Sequence, residues 1–526
     1  MNKSRGVSRR NFLKLAGMNA LAIYTSGQHG YLLEDWTRMQ RQLQINEPDV
    51  EVSLDAVVTE AQILPGRSTT VWSYRGTVLQ GEASVLQSLP GSYLGPTFRI
   101  RQGQHVRVHF NNQLPEPSIV HWHGLRLPEE MDAHPRFAVS SGETYTYDFQ
   151  VLNRAGTYWY HPHPDMLTGP QVYNGLAGLF IMTDDEEAAA GLPEGEYDIP
   201  LVIQDRTFDA DNQFVYVPQG MMAETMGFLG DSILVNGQPD AALSVETRAY
   251  RLRFLNGSNF RIYKLGWDDS TPLTVMGTDG GLLETPVQRE YVTLAPGERV
   301  ELWADFSQYP VGTELLLQSL PFSGVELMDM GGMDHGGMDM TASATTLPHG
   351  GEFTILRVNV ARESTERLQR PAQLSSIERY QLADAINRDN PRQFVLSRQM
   401  PVWTINGRSF EMDEVAEDEI VRLNTLEVWA FDNVLEGDDQ MAHPMHIHGV
   451  QFQIVERQVA PDTREGWETV RTGYVDEGWK DTLLIMPGER VKLLLKFEDF
   501  AGTFVYHCHN LEHEDMGMMR NYRIEP

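Results

Sequence analysis

The sequence predicts an all-β chain of three Greek-key β-sandwich domains, on three observations. Short runs of Val, Ile, Leu, Phe and Tyr are cut throughout by Gly, Pro and Asn, the pattern of strands joined by tight turns. Helical periodicity is scarce. One frame also recurs without a gap when SSGETYTYDFQVLNRAGTYWYHPH is laid on PGERVKLLLKFEDFAGTFVYHCH. Gly142 to Gly156 and Gly488 to Gly502 both span 14 residues, and Gly142 to His161 and Gly488 to His507 both span 19. Self-similarity of this kind marks repeated domains.

Taken in order, residues 1–27 read as a signal peptide outside the fold. Ser8-Arg9-Arg10-Asn11-Phe12-Leu13-Lys14 resembles the twin-arginine export signal, and the apolar run Phe12 to Tyr24 is too short to span a bilayer. A polar linker follows. Domain 1, residues 50–190, holds VSLDAVVTEAQI, TTVWSYRGTV and TFRIRQGQHVRVHFNN, the last alternating apolar and polar residues as a half-buried strand does. Domain 2, residues 195–360, starts at IPLVIQDRTF and has a hairpin-type Asn236-Gly237 turn. Its LAPGERVELWADFSQYPVGTELLL repeats the frame with one extra residue and no histidine, so it reads as a spacer that kept the fold without ligands. Residues 361–399 lack alternation and read as a linker with a short helix in LSSIERYQLADAI. Domain 3, residues 400–526, opens with VWTINGRSF.

The formal net charge of -31 argues against nucleic acid or an anionic membrane surface as partner and favours cationic species. No segment approaches the roughly 20 apolar residues of a transmembrane helix. A single cysteine excludes an intramolecular disulfide.

That cysteine lies in TFVYHCHNLEHEDMGMM. Alternate side chains of a strand face opposite ways, so His507 and His509 share one face and Cys508 takes the other. His513 stands five residues past Cys508 and Met518 ten. A Cys, two His and a distant axial Met form a blue copper site. Ten of the sixteen histidines fall in four clusters: His121/His123, His161/His163, His443/His446/His448 and His507/His509/His513. Such grouping suits a transition-metal centre, and the thiolate and thioether tip the choice to copper.

The set HWHG, HPH, HPMHIHG and HCHNLEHEDMGM resembles the four copper-binding motifs of multicopper oxidases. The resemblance covers essentially the whole mature chain and implies cupredoxin-like domains holding four copper ions. It makes Cys508, His443, His513 and Met518 type 1 ligands, and His121 and His446 the type 2 pair. His123, His161, His163, His448, His507 and His509 become the type 3 ligands. One-electron oxidation of a substrate would then be coupled to four-electron reduction of O2 to water, with Cys508 linking the two centres. The resemblance also gives Asp132 and Glu514 a place beside the cluster, as proton relays or as residues orienting an imidazole.

The substrate side rests on methionines. The segment from Glu326 to Met340 carries Met328, Met330, Met333, Met338 and Met340 without apolar periodicity. Thioethers are soft ligands suited to Cu(I). The segment resembles the methionine-rich loops of copper-tolerance multicopper oxidases, and Asp439 and Met441 match positions that bind the substrate ion in cuprous-oxidising relatives. Met221, Met222 and Met226 read either as a further soft patch or, for some of them, as core packing. The leading expectation is a periplasmic, monomeric cuprous oxidase for copper tolerance, exported by the twin-arginine machinery. The alternatives are a laccase-like oxidase of phenols or aromatic amines and a copper-sequestering protein.

Overall fold

A computed structural model describes residues 47–216, 226–328, 347–399, 402–433 and 439–526. The twin-arginine segment, Met221, Met222, Met330, Met333, Met338 and Met340 lie outside these residues. The strands form three successive pairs of facing sheets, and the helices among the described residues are short, the longest having six residues.

In the first pair, one sheet runs in the order Thr69–Gln80, Val50–Ala61, His105–Asn112, Thr144–Gln150. His105–Asn112 shows how the sequence makes it: Val106, Val108 and Phe110 are buried in the core, while the residues between them are only half-buried. The facing sheet runs Leu86–Gln87, Thr97–Arg101, Gly178–Thr183, Gly156–Pro162, Val120–His123. Phe98, Trp122 and Phe180 fill the space between the sheets. Burial contributes roughly 1.5–3 kcal/mol for a side chain of this size. The Tyr147 hydroxyl pins the edge strand by donating to Val120 O and accepting from Val120 N, both at 2.8 Å.

Gly156–Pro162 is buried on both faces. Tyr158 and Tyr160 enter the first core, whereas Trp159 packs with Val202, Leu234 and Leu255 of the middle pair. At Gly156 the backbones approach so closely that a Cβ would stand 2.6 Å from Gly281 Cα. Only glycine fits there.

The middle pair consists of a seven-stranded and a five-stranded sheet, with strands from Asp198–Arg206 to Phe353–Arg362. In the last pair, one sheet runs Val402–Ile405, Arg392–Gln399, Thr425–Asn433, Glu489–Phe497, Phe452–Val459. The other runs Ile420–Arg422, Met519–Glu525, Gly502–Cys508, His443–Ile447, Thr482–Ile485. The linker expected over 361–399 is therefore corrected at its end. Arg392–Gln399 is a strand, with Phe394 and Leu396 in the third core. The expected helix is a single 3-10 turn, Leu382–Asp384. A two-stranded ribbon, Glu326–Met328 with Asp439–Met441, joins the middle pair to the last.

Candidate metal centre

Strand register brings the histidines together. Antiparallel pairing sets His121 opposite His161 in the first sandwich and His446 opposite His507 in the third. Val120 and Trp122 occupy the first core, which leaves His121 and His123 on the other face. Likewise Tyr506 and Cys508 occupy the third core and His507 turns away from it. Ten imidazoles and Cys508 are buried, none more than 1% exposed.

On the Cys508 side, Sγ lies 3.5 Å from His443 Nδ1 and 3.7 Å from His513 Nδ1, and these two nitrogens are 3.2 Å apart. His513 is returned by the helix Leu511–Asp515, whose start is capped by the Asn510 side chain accepting from Glu512 N and His513 N. Met518 is fully buried in the same apolar cluster as Cys508. Its backbone fixes the turn, as Met518 N donates to His513 O at 2.8 Å and Cys508 N donates to Met518 O at 3.0 Å. Trp403 stacks on His513 with centroids 4.0 Å apart. Burial holds His443 down to about 3 and pushes the Cys508 thiol well up. The pocket is thus neutral, and binding there requires a cation able to displace the thiol proton.

The other eight histidines converge in three groups, and their outward hydrogen bonds assign the tautomers. His121 donates from Nδ1 to Asp132 O at 2.9 Å and His446 from Nδ1 to Asp481 O at 2.8 Å, so their Nε2 lone pairs face each other at 3.3 Å. His448 donates from Nδ1 to Asp132 Oδ2 at 2.9 Å, and His507 Nδ1 lies 3.0 Å from both Cys508 O and Glu514 Oε2. Their Nε2 atoms stand 3.1 Å apart, with His163 Nε2 3.3 Å from that of His507. In the third group His161 donates from Nδ1 to Pro162 O at 2.8 Å, and His123 Nε2 faces Asp481 Oδ1 at 3.1 Å and Thr482 Oγ1 at 3.0 Å. His123 Nδ1 is then left facing His161 Nε2 at 3.4 Å. His509 stands beside them with neither ring nitrogen hydrogen-bonded.

Lone pairs gathered this closely repel one another unless a cation lies among them, and unpaired buried nitrogens are costly, roughly 1–3 kcal/mol each. Protons do not relieve the crowding. Burial holds His161 near 3 and His163 near 4, with the remaining imidazoles of the cluster that shift also lowered. Imidazole nitrogens held neutral by burial, together with the sulfurs of Cys508 and Met518, fit copper.

Two carboxyls beside the cluster are displaced in opposite directions. Burial raises Asp132 well above the carboxylate range. Burial also opposes ionisation of Glu514, but the imidazoles of His507 and His163 outweigh it and hold Glu514 low. Sequence reasoning did not find Asp481 and Thr482, because Trp-Lys-Asp-Thr has no metal-ligating spacing and only the fold sets it behind His123 and His446. Of the substrate candidates, Met441 is buried with Cys508 and Met518. Asp439 pairs by backbone with Met328.

Two family models, each described as "Multicopper oxidase", match residues 62–187 and 385–526, the stretches that contain all the clustered histidines. The chain is 30% identical to "Multicopper oxidase mco" of Staphylococcus aureus over 434 residues, which is 82% of this chain and 83% of that protein. It is 31% identical to a laccase of Bacillus stratosphericus, over 86% of this chain and 90% of the laccase. Among solved structures it is similar to the McoA multicopper oxidase of Aquifex aeolicus, with a TM-score of 0.75, 34% identity, and coverage of 91% of this chain and 97% of that one.

The chain belongs to the multicopper oxidase family. Its domains are cupredoxin-like, its cofactors are four copper ions, one type 1, one type 2 and two type 3, and its reaction joins a reducing substrate to O2.

Proposed function

We propose that the protein is a cuprous oxidase serving copper tolerance. In this reading Cys508, His443, His513 and Met518 hold the type 1 copper and His121 with His446 the type 2. His123, His161 and His509, and His163, His448 and His507, hold the type 3 pair. Bound copper supplies one-electron acceptance at the first site and O2 reduction at the others. The chain supplies the connection: Cys508 is bonded through the backbone to His507 and His509, so the electron path between the sites is covalent. Asp132, kept protonated by burial, and Glu514, kept ionised by imidazoles, flank the His448–His507 pair and are suited to hold and pass protons toward it.

The observation that carries the substrate is the ribbon. Glu326 pairs with Met441 and Met328 with Asp439, so the start of the methionine-rich segment is tied to the strand that ends two residues before His443. Soft thioethers and an acidic chain favour a cuprous ion. The Ser8–Lys14 motif supports twin-arginine export to the periplasm, and no helix among the described residues is long and apolar enough to cross a membrane. We read the working form as a monomer.

Deleting residues 329–340 tests the substrate and leaves the paired strand in place. O2 uptake driven by Cu(I) should fall at least about tenfold, since bound-ion positioning is lost, with phenol-driven uptake retained. Unchanged Cu(I) kinetics would favour the laccase-like reading, which the match to proteins named laccase supports. Copper bound by the segment without turnover would favour sequestration.

A further inference from the structure

The middle sandwich gives no histidine to the cluster, yet its turn Ala295–Arg299 reaches the cluster twice. Gly297 has a left-handed backbone, φ +84°, and lies against the His509 ring, where a Cβ would stand 2.9 Å from Cδ2 and 3.0 Å from Cγ. Two residues on, Arg299 is buried and grips Asp481 with both arms, Nη1 donating to Oδ1 at 2.7 Å and Nη2 to Oδ2 at 2.5 Å. The rest of the guanidinium is fully engaged. Nε donates to Thr157 O at 3.0 Å, Nη1 to Gly297 O at 2.8 Å and Nη2 to Asp279 O at 3.0 Å. A planar fork bonded at every edge cannot rotate, so the Asp481 carboxylate is fixed in orientation.

That orientation matters because of what Asp481 touches next. Its Oδ1 lies 3.1 Å from His123 Nε2 and 2.9 Å from the Thr482 hydroxyl. The Thr482 hydroxyl lies 3.0 Å from His123 Nε2 and 3.2 Å from His446 Nδ1. Lys480, the residue before Asp481, is occupied by Asp279 at 2.9 Å and Glu298 at 2.7 Å.

We propose that Arg299 is a positioning residue for the copper cluster: by fixing Asp481 it holds His123 with its proton on Nε2 and its Nδ1 lone pair aimed at the site shared with His161 and His509. The inference rests on assigning these three histidines to one type 3 copper. The middle domain thereby becomes a working part of the centre rather than a spacer.

The test loads the full-length protein with copper and titrates in a chelator, following three signals: blue absorption from the Cys508 site, near-ultraviolet absorption from the coupled copper pair, and copper content. If the unaltered protein lacks the pair's absorption, the assignment of the histidines fails. If the pair's absorption is present, the variants decide on Arg299. Arg299→Gln should lose the pair's absorption at about 10–100-fold lower chelator, the usual effect of removing a group behind a metal-bound histidine, with the blue band as resistant as before. Arg299→Lys, which keeps the charge but cannot span both oxygens, should fall between. Equal resistance of the pair's absorption in Arg299→Gln and the unaltered protein overturns the inference, and so does a parallel loss of both bands. Should Arg299→Gln not fold, Arg299→Lys is read alone, and a pair as resistant as in the unaltered protein overturns it.

Discussion

The Cys508 pocket and the eight-histidine pocket share the strand Gly502–Cys508 and differ in what stands behind their imidazoles. Around His443 and His513 the packing is mostly apolar: Trp403 stacks on one ring, with the Arg398 guanidinium over the Trp403 ring, 5.3 Å from its centre, and Met441, Met518 and Phe260 belong to the same cluster as Cys508. Among the described residues no carboxylate comes within ion-pair distance of either ring. Behind the cluster stand three buried carboxyls, Asp132, Asp481 and Glu514, each on at least one imidazole. In the proposed reading the difference would separate the two supplies that O2 reduction needs. On the proposed assignment electrons would enter where no carboxylate stands against an imidazole, and protons would be handled where Asp132 and Glu514 do.

The strongest way to break this division is Cys508→Ser. The side chains are nearly equal in volume and the site lies in a packed core, so the fold should persist. Blue absorption and substrate-driven O2 uptake should both be abolished, because a hydroxyl does not replace the thiolate as a copper ligand. The near-ultraviolet absorption of the cluster should remain. Its disappearance together with the blue band would mean that the pockets are not separable.

A weaker blow falls on the other side. Asp132→Asn keeps the shape and the contact to His448 Nδ1 but removes the proton that burial keeps on the carboxyl. Turnover with O2 should drop roughly 10–100-fold, the low end for a lost acid–base group or a group supporting a metal ligand. Anaerobic bleaching of the blue band by substrate should keep its rate. Unchanged turnover would remove Asp132 from proton handling.

The two-faced strand was legible from sequence because period-two alternation needs no partner: His507 and Cys508 diverge on any strand. The repeat was legible too, and its physical cause is a shared turn. Glu143, Glu298 and Glu489 each come directly after the frame's glycine and accept from the backbone N–H three residues earlier, Ser140, Ala295 and Met486, at 2.8, 2.8 and 2.9 Å. The role of the arginine beyond that glutamate was not legible. Arg299 and Arg490 occupy the same Pro-Gly-Glu-Arg-Val sequence, but Arg490 reaches toward Asp432 at 4.0 Å with its side chain 36% exposed, whereas Arg299 is sealed against Asp481. Their difference lies in a neighbour 182 residues away, which no local pattern carries. Arg392–Gln399 escaped notice for a related reason: its Arg and Gln flanks hide the inward Phe394 and Leu396.

The mildest test per residue concerns what the pockets have in common before copper is bound. Burial lowers His443 to about 3 on one side and His161 and His163 to about 3 and 4 on the other, against an ordinary 6.5. Below pH 6.5 the unfolded chain takes up protons that the folded one refuses. The stability these neutral rings contribute is therefore complete above that pH and is lost as pH falls toward their folded values, at about 1.4 kcal/mol per pH unit for each ring. The thermal midpoint of copper-free protein should fall steadily from pH 7 to about pH 5. Copper-loaded protein should fall less, because protons must then displace the metal from the same nitrogens. A flat profile for the copper-free protein would show that the rings are not held neutral. A profile just as steep with copper would show that the metal does not occupy them. Because His443 on one side and His161 and His163 on the other refuse protons over the same window, these rings of the empty sites are alike in acid, and on the proposed assignment only loading with copper would set the two pockets apart.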